Sequence, residues 1–281
     1  MNDQLNAISR AVASIAMPSG VGEQVHIDGR YGVQCYEYEG GLLLWEEVID
    51  NVVVVVGKNS LLDNYITGSA FTQTGPYMGL ISSIGWTNLS TTLSALVSYS
   101  SVTGIASLTT AAAHALNPGD SAVTIASAAG TGTNVAQLNG TFTPQAGTTG
   151  STLNIFVGTG LTITAVTGGT VATTAATRLS DTMSSHALWT EAGSTNAPTF
   201  TARVAPAWSS AANGSKATSA AVSYTMTAGG TLQGAFMVLG SGAVITLMST
   251  GGTMFSAGAF SGSSQVVQLG NVVTVTYSAS I

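Results

Sequence analysis

Asp181, Ser184 and His186 are the residues whose types come nearest to a nucleophilic catalytic set. A Ser-His-Asp triad gathers its members from separate elements around one reacting atom. These three lie within six consecutive residues, which is too close in sequence for that convergence. No G-x-S-x-G segment, the strand-to-helix turn of one hydrolase class, occurs in the chain either. We therefore predict no catalytic residue here and expect His186 to pack against a neighbouring loop.

Metal ligation is the second chemistry to consider, because the chain has three histidines and one cysteine. Structural zinc requires four nitrogen or sulfur ligands at close spacing. The histidines are His26, His114 and His186. Near the first of them, only Asp28 and Cys35 are plausible additional ligands. Calcium on Asp28, Glu37 and Glu39 is an alternative, but acids that alternate along a strand are typical of a solvated face. We predict no metal site.

Paired carboxylates could hydrolyse a glycan, and Glu46, Glu47 and Asp50 have the required type. On a strand, Glu46 and Glu47 point to opposite faces and cannot share one sugar. A phosphate-binding loop is not indicated, since Gly158-Thr159-Gly160 and Gly240-Ser241-Gly242 lack the later glycine and lysine of that motif. We therefore predict neither an enzyme nor a cofactor, and glycan turnover through Glu46 or Glu47 remains a third alternative.

The composition excludes several classes of protein. Charged residues are 6% of the 281 residues, against about 25% in an average domain. Twelve acids and six bases give a net charge of −6, which repels phosphate backbones, so nucleic acid is not an expected partner. The longest apolar runs, Leu42 to Trp45 and Val52 to Val56, are too short for a membrane helix, and no secretory signal is recognised. We expect a soluble, unprocessed chain that contacts no membrane.

Charges are almost absent from the middle of the chain. From Asn64 to Thr177 the only charged side chain is Asp120, and Thr, Ser, Ala, Gly and aliphatic residues dominate. Threonine and valine fit the pleated surface of a β-sheet. A hydroxyl also costs less to desolvate than a charge, which favours a surface held against neighbouring subunits. The rare Arg178 and Arg203 are expected to form specific ion pairs, with Asp181 and Glu191 as nearby partners.

The elements that would position these side chains begin with a helical pattern over Asp3–Ile15. Its apolar face consists of Leu5, Ile8, Val12 and Ile15, and Pro18-Ser19-Gly20 ends it. We call this face the arm face. Such a short amphipathic segment can dock on its own domain or on a partner. We predict the arm face as a partner contact and keep docking on the same chain as the alternative.

Strand signals follow the arm. Val25, Ile27, Val33 and Cys35 alternate with polar residues, and a turn at Glu39–Gly41 leads into a second strand. The run Val52–Val56 predicts a strand buried on both faces, and a capping-box spacing predicts a helix over Ser60–Ile66. Further strands are predicted at Tyr77–Ile84, Ala220–Thr227, Thr231–Leu239, Gly252–Phe260 and Val272–Ser278. The tryptophans Trp45, Trp86, Trp189 and Trp208 are expected as anchors of a β-core.

The middle of the chain is predicted to be a separate module. Asn117-Pro118-Gly119-Asp120 is a strong turn signal. Short alternating stretches flank it, around Val123, Leu153 and Leu161. We predict an all-β protein: an N-terminal helical arm (1–20), an outer β-sandwich or jelly-roll-like domain (21–92 plus 176–281), and an inserted small β-barrel or sandwich module (93–175).

Four segments of the outer domain resemble a family of structural proteins of tailed bacteriophages. They are Gly57-Lys58-Asn59-Ser60-Leu61-Leu62-Asp63, Tyr77-Met78-Gly79-Leu80-Ile81, Ser180-Asp181-Thr182-Met183-Ser184-Ser185-His186 and Gly252-Thr253-Met254-Phe255-Ser256-Ala257-Gly258-Ala259-Phe260. The resemblance covers about half of the chain, Asp50–Leu89 and Arg178–Ile281, and it departs from the family at Gly270-Asn271, where Gly-Asp is common. In that family the two flanks of the predicted module are almost contiguous, which implies that the module is an insertion.

The module itself is similar to a small β-module that recurs in phage tail and fibre proteins. The residues that carry this resemblance are Thr109-Thr110, His114-Ala115-Leu116, Pro118-Gly119-Asp120, Val123-Thr124-Ile125 and Leu138-Asn139-Gly140-Thr141. The resemblances imply a virion component, assembled in the bacterial host cytoplasm, that contacts phage coat or tail proteins.

We therefore expect a non-enzymatic protein that decorates and stabilises the phage head as a homo-oligomer, with a homotrimer as the expected state. In the alternative, the chain is a tail or fibre component, and its inserted module binds host surface polysaccharide or protein.

Overall fold

Antiparallel β-strands form most of the structure, as the alternating sequence pattern predicts. The computed structural model describes residues 27–66, 74–114, 116–120, 122–173, 177–260 and 264–280. Within them the strands are β1 (Asp28–Tyr36), β2 (Leu43–Val53), β3 (Tyr77–Ser82), β4 (Ser90–Tyr99), β5 (Ile105–Thr110), β6 (Val123–Thr131), β7 (Gly140–Phe142), β8 (Thr152–Phe156), β9 (Ala165–Thr173), β10 (Thr190–Glu191), β11 (Ser215–Ala217), β12 (Val222–Thr225), β13 (Gly230–Leu239), β14 (Thr253–Ala259), β15 (Gln265–Val267) and β16 (Val272–Ser280). Helix α1 is Val55–Ile66, and a 3₁₀ turn is Val135–Leu138. The all-β class is confirmed.

The larger sheet has ten strands and curls around its own core. Its path is β10-β3-β13-β14-β2-β1-β16-β11, with β12 also paired to β16 and β15 to β13. Strand β2 pairs with β1 over most of its length and with β14 through Val52 and Val53. It therefore passes from one half of the sheet to the other, and the two halves face each other across the core.

Alternate residues of the strands in both halves of the sheet point into that core. Val33 and Cys35 point inward from β1 and are fully buried, as the sequence predicts, and Tyr31 is buried on the same face. The rings of Tyr31 and Tyr277 lie 4.7 Å apart, and the Tyr31 hydroxyl is hydrogen-bonded to Ser256 Oγ at 2.6 Å. Burial raises the pKa of Tyr31, so this hydroxyl stays neutral and available for the bond.

Strand β13 is buried on both faces, which explains its nearly continuous apolar sequence. Ala235 and Met237 contribute to the main core, whereas Phe236 and Val238 face a second apolar cluster. Trp189 belongs to this second cluster, with its ring 5.4 Å from that of Phe236. Of the predicted tryptophan anchors, Trp189 is fully buried; Trp45, Trp86 and Trp208 are only partly buried.

A second sheet of six strands, in the order β7-β6-β9-β4-β5-β8, spans Ser90–Thr173. Its core is a separate cluster of Leu93, Leu108, Val123, Ile125, Leu153 and further aliphatic residues. The two ends of this segment meet, because the amide of Thr173 donates to the carbonyl of Leu89 at 3.1 Å. The sheet begins three residues before the predicted Leu93, and Leu161 precedes β9 instead of lying in a strand. The division into an outer domain and an inserted module stays a prediction.

The predicted strand Val52–Val56 and the predicted helix start at Ser60 are both wrong. Strand β2 ends at Val53, and α1 begins at Val55, so Ser60 lies inside the helix. The reason is tertiary: the amide of Val54 donates to the carbonyl of Phe255, and that of Val55 donates to the carbonyl of Leu179. These long-range bonds turn the chain in the middle of the valine run, and they override the β preference of valine.

Two further expectations from the sequence concern the N-terminal arm and membrane-spanning helices. The arm face of Leu5, Ile8, Val12 and Ile15 lies outside the described residues. In the part of the chain that is described, no helix has the length and apolar composition required to cross a membrane.

Arg203 and Glu191 form a buried ion pair beside the second apolar cluster, which confirms the predicted pairing. Arg203 Nε and Nη2 donate to the two Glu191 carboxylate oxygens at 2.8 and 2.7 Å. The two side chains are 0% and 4% exposed. Glu191 also accepts the amide of Met248, and Arg203 also donates to the carbonyl of Ser249. The pair thus fixes the loop between β13 and β14 against β10.

We expect Arg203→Met to lower the free energy of unfolding by about 3–5 kcal/mol, because it leaves the Glu191 carboxylate buried without its partner. Arg203→Lys should give a smaller loss, since it keeps the charge but not the two-point geometry. Arg30→Met is the matched control: Arg30 pairs with Asp50 at 2.8 Å, but these side chains are 61% and 82% exposed. It should change stability by less than about 1 kcal/mol in urea titrations. Equal losses for Arg203→Met and Arg30→Met would contradict the structural role of the buried pair.

Candidate functional site

The three residues closest to a catalytic set are bound to the loop that carries them. Asp181 Oδ2 accepts the indole N–H of Trp189 at 2.8 Å and the amide of Arg178 at 3.0 Å. His186 stacks on Trp189 with the ring centroids 4.0 Å apart, and its Nδ1 lies 2.9 Å from the Trp189 carbonyl. Ser184 Oγ contacts the hydroxyl of Thr182. Trp189 therefore lies between the acid and the imidazole, and these contacts join residues 178–189 to one another. The loop meets the sheet through Trp189, whose ring lies 5.4 Å from that of Phe236 in β13.

Asp120, the isolated charge of the middle segment, joins the second sheet to the rest of the chain. Its side chain is 1% exposed. Oδ2 accepts the amide of Asn117 at 2.7 Å, closing the predicted turn, and Oδ1 accepts the amide of Leu179 at 2.9 Å. Asn117 Nδ2 donates to Ser180 Oγ at 3.0 Å in the same junction. Burial raises the pKa of Asp120, while these donors and the charge of Arg178 act in the opposite direction.

His114 lies in the same junction and is 1% exposed. Its Nδ1 accepts the amide of Leu116 at 3.1 Å, and its carbonyl accepts a hydrogen bond from Arg178 Nη2 at 3.1 Å. Burial, with a contribution from the positive charge of Arg178, lowers the pKa of His114. The neutral imidazole is therefore the form that fits this structure.

The acids of β2 do not converge. Glu46 pairs with Gln34 across the strand pair, whereas Glu47 accepts from Gln265 Nε2 at 2.8 Å. Cys35 is buried, which raises the pKa of its thiol to about 11. Among the residues that the structure describes, no three His, Cys, Asp or Glu side chains are grouped closely enough to bind a metal ion.

A cleft of about 830 Å³ lies beside β1, β11 and β16 of the large sheet. Asp28, Arg30, Asp50 and Lys216 are the charged residues that line it. Because Arg30 and Asp50 are exposed and pair with each other, the cleft has the character of a solvated surface.

Exposed apolar side chains are concentrated instead at the end of the β1–β2 hairpin. The hairpin patch consists of Tyr38, Leu42, Leu43, Leu44, Val266 and Leu269, which are 59%, 69%, 40%, 48%, 63% and 73% exposed. Two hydrogen bonds join its two segments: Trp45 Nε1 donates to the carbonyl of Val266, and Asn271 Nδ2 donates to the carbonyl of Glu37, each at 3.0 Å. A grouped set of exposed leucines is typical of a protein-contact surface.

Acidic residues surround the hairpin patch. Glu37, Glu39 and Glu46 are exposed beside it. The sequence has no lysine or arginine from Tyr31 to Gly57, nor after Lys216. The patch therefore fits an apolar surface that carries basic residues at its rim, and it disfavours a second copy of itself.

Comparison with protein-family models, with curated proteins and with solved structures finds no match to the chain. In the sequence, Leu42–Leu44 is recognisable only as part of a strand, because the exposure of a strand residue depends on what packs over it in the fold. The run of three leucines beside a glycine turn was the available signal.

His114 should make the free energy of unfolding depend on pH. Because its pKa is lowered in the folded protein, the unfolded chain binds the proton more readily, and stability is lost as the pH falls below about 6.5. The loss is at most about 1.4 kcal/mol per pH unit. His114→Asn can keep an acceptor for the Leu116 amide but does not titrate.

Urea unfolding of the wild type and of His114→Asn at pH 7.5, 6.5 and 5.5 tests this dependence. The other histidines are common to both proteins, so the difference between the two curves isolates His114. The wild type should lose stability relative to the variant as the pH falls. Parallel curves would show that protonation of His114 is not opposed by the fold.

Proposed function

We propose that this chain is a non-enzymatic structural protein of a bacteriophage particle, assembled in the bacterial cytoplasm, that decorates and stabilises the head as a homotrimer. The hairpin patch is the observation that carries the proposal. Burial of a leucine side chain contributes about 1.5–3 kcal/mol, so even part of this patch supplies substantial binding energy to a coat chain. The resemblance of the outer segments to phage structural proteins supports the same conclusion.

The threonine-rich surface of the second sheet suits a protein that is in permanent contact with other subunits. Exposed threonine hydroxyls of the second sheet bond to each other, between β6 and β7 as Thr124 and Thr141 at 3.3 Å, and between β6 and the residue before β9 as Thr131 and Thr164 at 3.0 Å. Such pairs satisfy the hydroxyls within the sheet and lower the cost of removing water from its face. This surface is the proposed site of contacts between copies of the chain.

The bonds of the buried polar groups support a structural role. Asp120, Asp181 and Glu191 each accept at least one backbone amide, and each holds a loop in place. A general acid or base needs a proton-transfer path to a substrate. These carboxylates are instead directed at the backbone of their own chain.

A tail or fibre component is the second candidate function, and one observation favours it. Val102 and Phe156, 85% and 53% exposed, lie at the end of the second sheet that is farthest from the chain junction at Leu89 and Thr173. Exposed apolar side chains at a projecting tip are suited to contact with host polysaccharide or protein. In this case the hairpin patch anchors the chain to the tail.

Leu42→Lys with Leu44→Lys tests the leading proposal. Purified heads and purified tails, both from phage that lacks the gene for this chain, are incubated with the added protein and sedimented. We expect the wild type to bind heads and the double variant to bind them at least tenfold more weakly. Two leucine side chains are then no longer buried against the coat, and the two new lysines are repelled by basic residues at the rim of the coat surface.

Ile245→Lys is the matched control, since Ile245 is also exposed, at 52%, but lies in the loop between β13 and β14, outside both proposed contact surfaces. Light scattering should give three times the chain mass for all three proteins. Undiminished binding of the double variant would contradict the role of the hairpin patch, and binding to tails instead of heads would replace decoration by the second candidate.

Val102→Ser with Phe156→Ser tests that second candidate. Phage assembled with this variant is mixed with host cells, and unadsorbed phage is counted. If the chain decorates the head, adsorption should stay within a factor of two of wild type. A tenfold or larger fall in adsorption, with unchanged incorporation into particles, would favour a host-binding module and contradict decoration as the sole function.

A further inference from the structure

The curl of the large sheet leaves an apolar groove of about 530 Å³ at its edge. Its apolar wall includes Leu61, Trp208, Met237, Leu239, Phe255 and Tyr277. Met237, Phe255 and Tyr277 belong to the main core, so the groove opens directly onto it. Among the described lining residues, Lys216 is the only charged one. An apolar opening of this size into the core is unfavourable in water unless something covers it.

The position of Ile27 indicates what covers it. Ile27 lines the groove and is the first residue that the structure describes, so residues 1–26 continue from the groove wall. Within them, the arm face presents apolar side chains at helical spacing. Eleven residues, 16–26, connect Ile15 to Ile27 and include Pro18, Gly20 and Gly22. They can span up to about 36–40 Å, enough for the arm to turn back.

We propose that the arm face of Leu5, Ile8, Val12 and Ile15 binds in this groove of its own chain and closes the main core. A connection of only eleven residues gives an effective concentration on the order of millimolar, which favours the groove of the same chain over that of a second copy. The arm then completes the fold, and the hairpin patch remains the surface that contacts other chains. This assignment takes the alternative of docking on the same chain over the expected partner contact of the arm, which stays a prediction, and it does not depend on the proposed function.

Residues 67–73 are the competing occupant, because Leu61 and Pro76, on either side of this segment, also line the groove. The segment contains two apolar residues, Ala70 and Phe71, which are adjacent and form no periodic face. The arm offers four apolar side chains on one face, and an apolar groove is better filled by that set. The two occupants are separated experimentally by where a cross-link forms.

Cysteine pairs test the assignment. Ile8→Cys is combined with Ala211→Cys, since Ala211 is exposed and lines the groove. Cys35 is buried with a raised thiol pKa and does not compete. On mild oxidation we expect a disulfide within one chain, seen as a faster monomer band on a non-reducing gel. Asn6→Cys with Ala211→Cys is the matched control on the polar face of the arm and should cross-link at least fivefold less.

A second measurement uses the dye 1-anilinonaphthalene-8-sulfonate, which fluoresces on apolar surface. Ile8→Asp with Val12→Asp should expose the groove and increase dye fluorescence several-fold, while Asn6→Asp should not. The proposal is overturned if the disulfide joins two chains, if Ile8→Cys and Asn6→Cys react equally, or if only Phe71→Cys pairs with Ala211→Cys. Unchanged fluorescence of the doubly substituted arm would overturn it as well.

Discussion

Buried carboxylates that accept backbone amides are the interaction on which the rest of this structure depends. With 6% charged residues, the chain places three of its twelve acids, Asp120, Asp181 and Glu191, almost fully inside. Burial raises the pKa of Asp120 and Asp181, so each site carries a desolvation cost that its hydrogen bonds offset. In return, each carboxylate fixes a loop that has no strand partner. Asp120 in particular holds the turn of the second sheet to Leu179, beside the start of α1.

Because several of the few charged side chains are buried, the surface of the molecule has an unusually low density of charge. Exposed threonine and serine residues are frequent in the second sheet, and the exposed acids Glu37, Glu39 and Glu46 lie beside the apolar end of the β1–β2 hairpin. Removing water from hydroxyls and apolar side chains costs less free energy than removing it from charges, so a surface of this kind is easily desolvated in an assembly. Asp181 and His186, which resemble part of a catalytic set, are likewise bound to Trp189 and to backbone groups, and they stabilise the loop that carries them. Structure and proposed function are linked through this division between internal and external polar groups.

Local patterns predicted much of the fold. The alternation in β1, the glycine turn after it and the turn at Asn117–Asp120 were all recognisable, because each depends on neighbouring residues. The break in the valine run was not, since it is set by hydrogen bonds from Val54 and Val55 to distant carbonyls. The hairpin patch was missed for a related reason: a strand residue is exposed or buried according to what packs over it. The bond from Leu179 to Asp120, across 59 positions, has no sequence signal at all.

The central claim is that this protein exists to contact other chains of a phage particle. Cryo-electron microscopy of phage particles assembled in cells that produce this chain tests this claim most directly. The account predicts density for the curled sheet on the head surface, in groups of three, with Leu42 and Leu44 against the coat. Particles that contain no copy of the chain, together with a purified protein that stays monomeric at micromolar concentration, would contradict it.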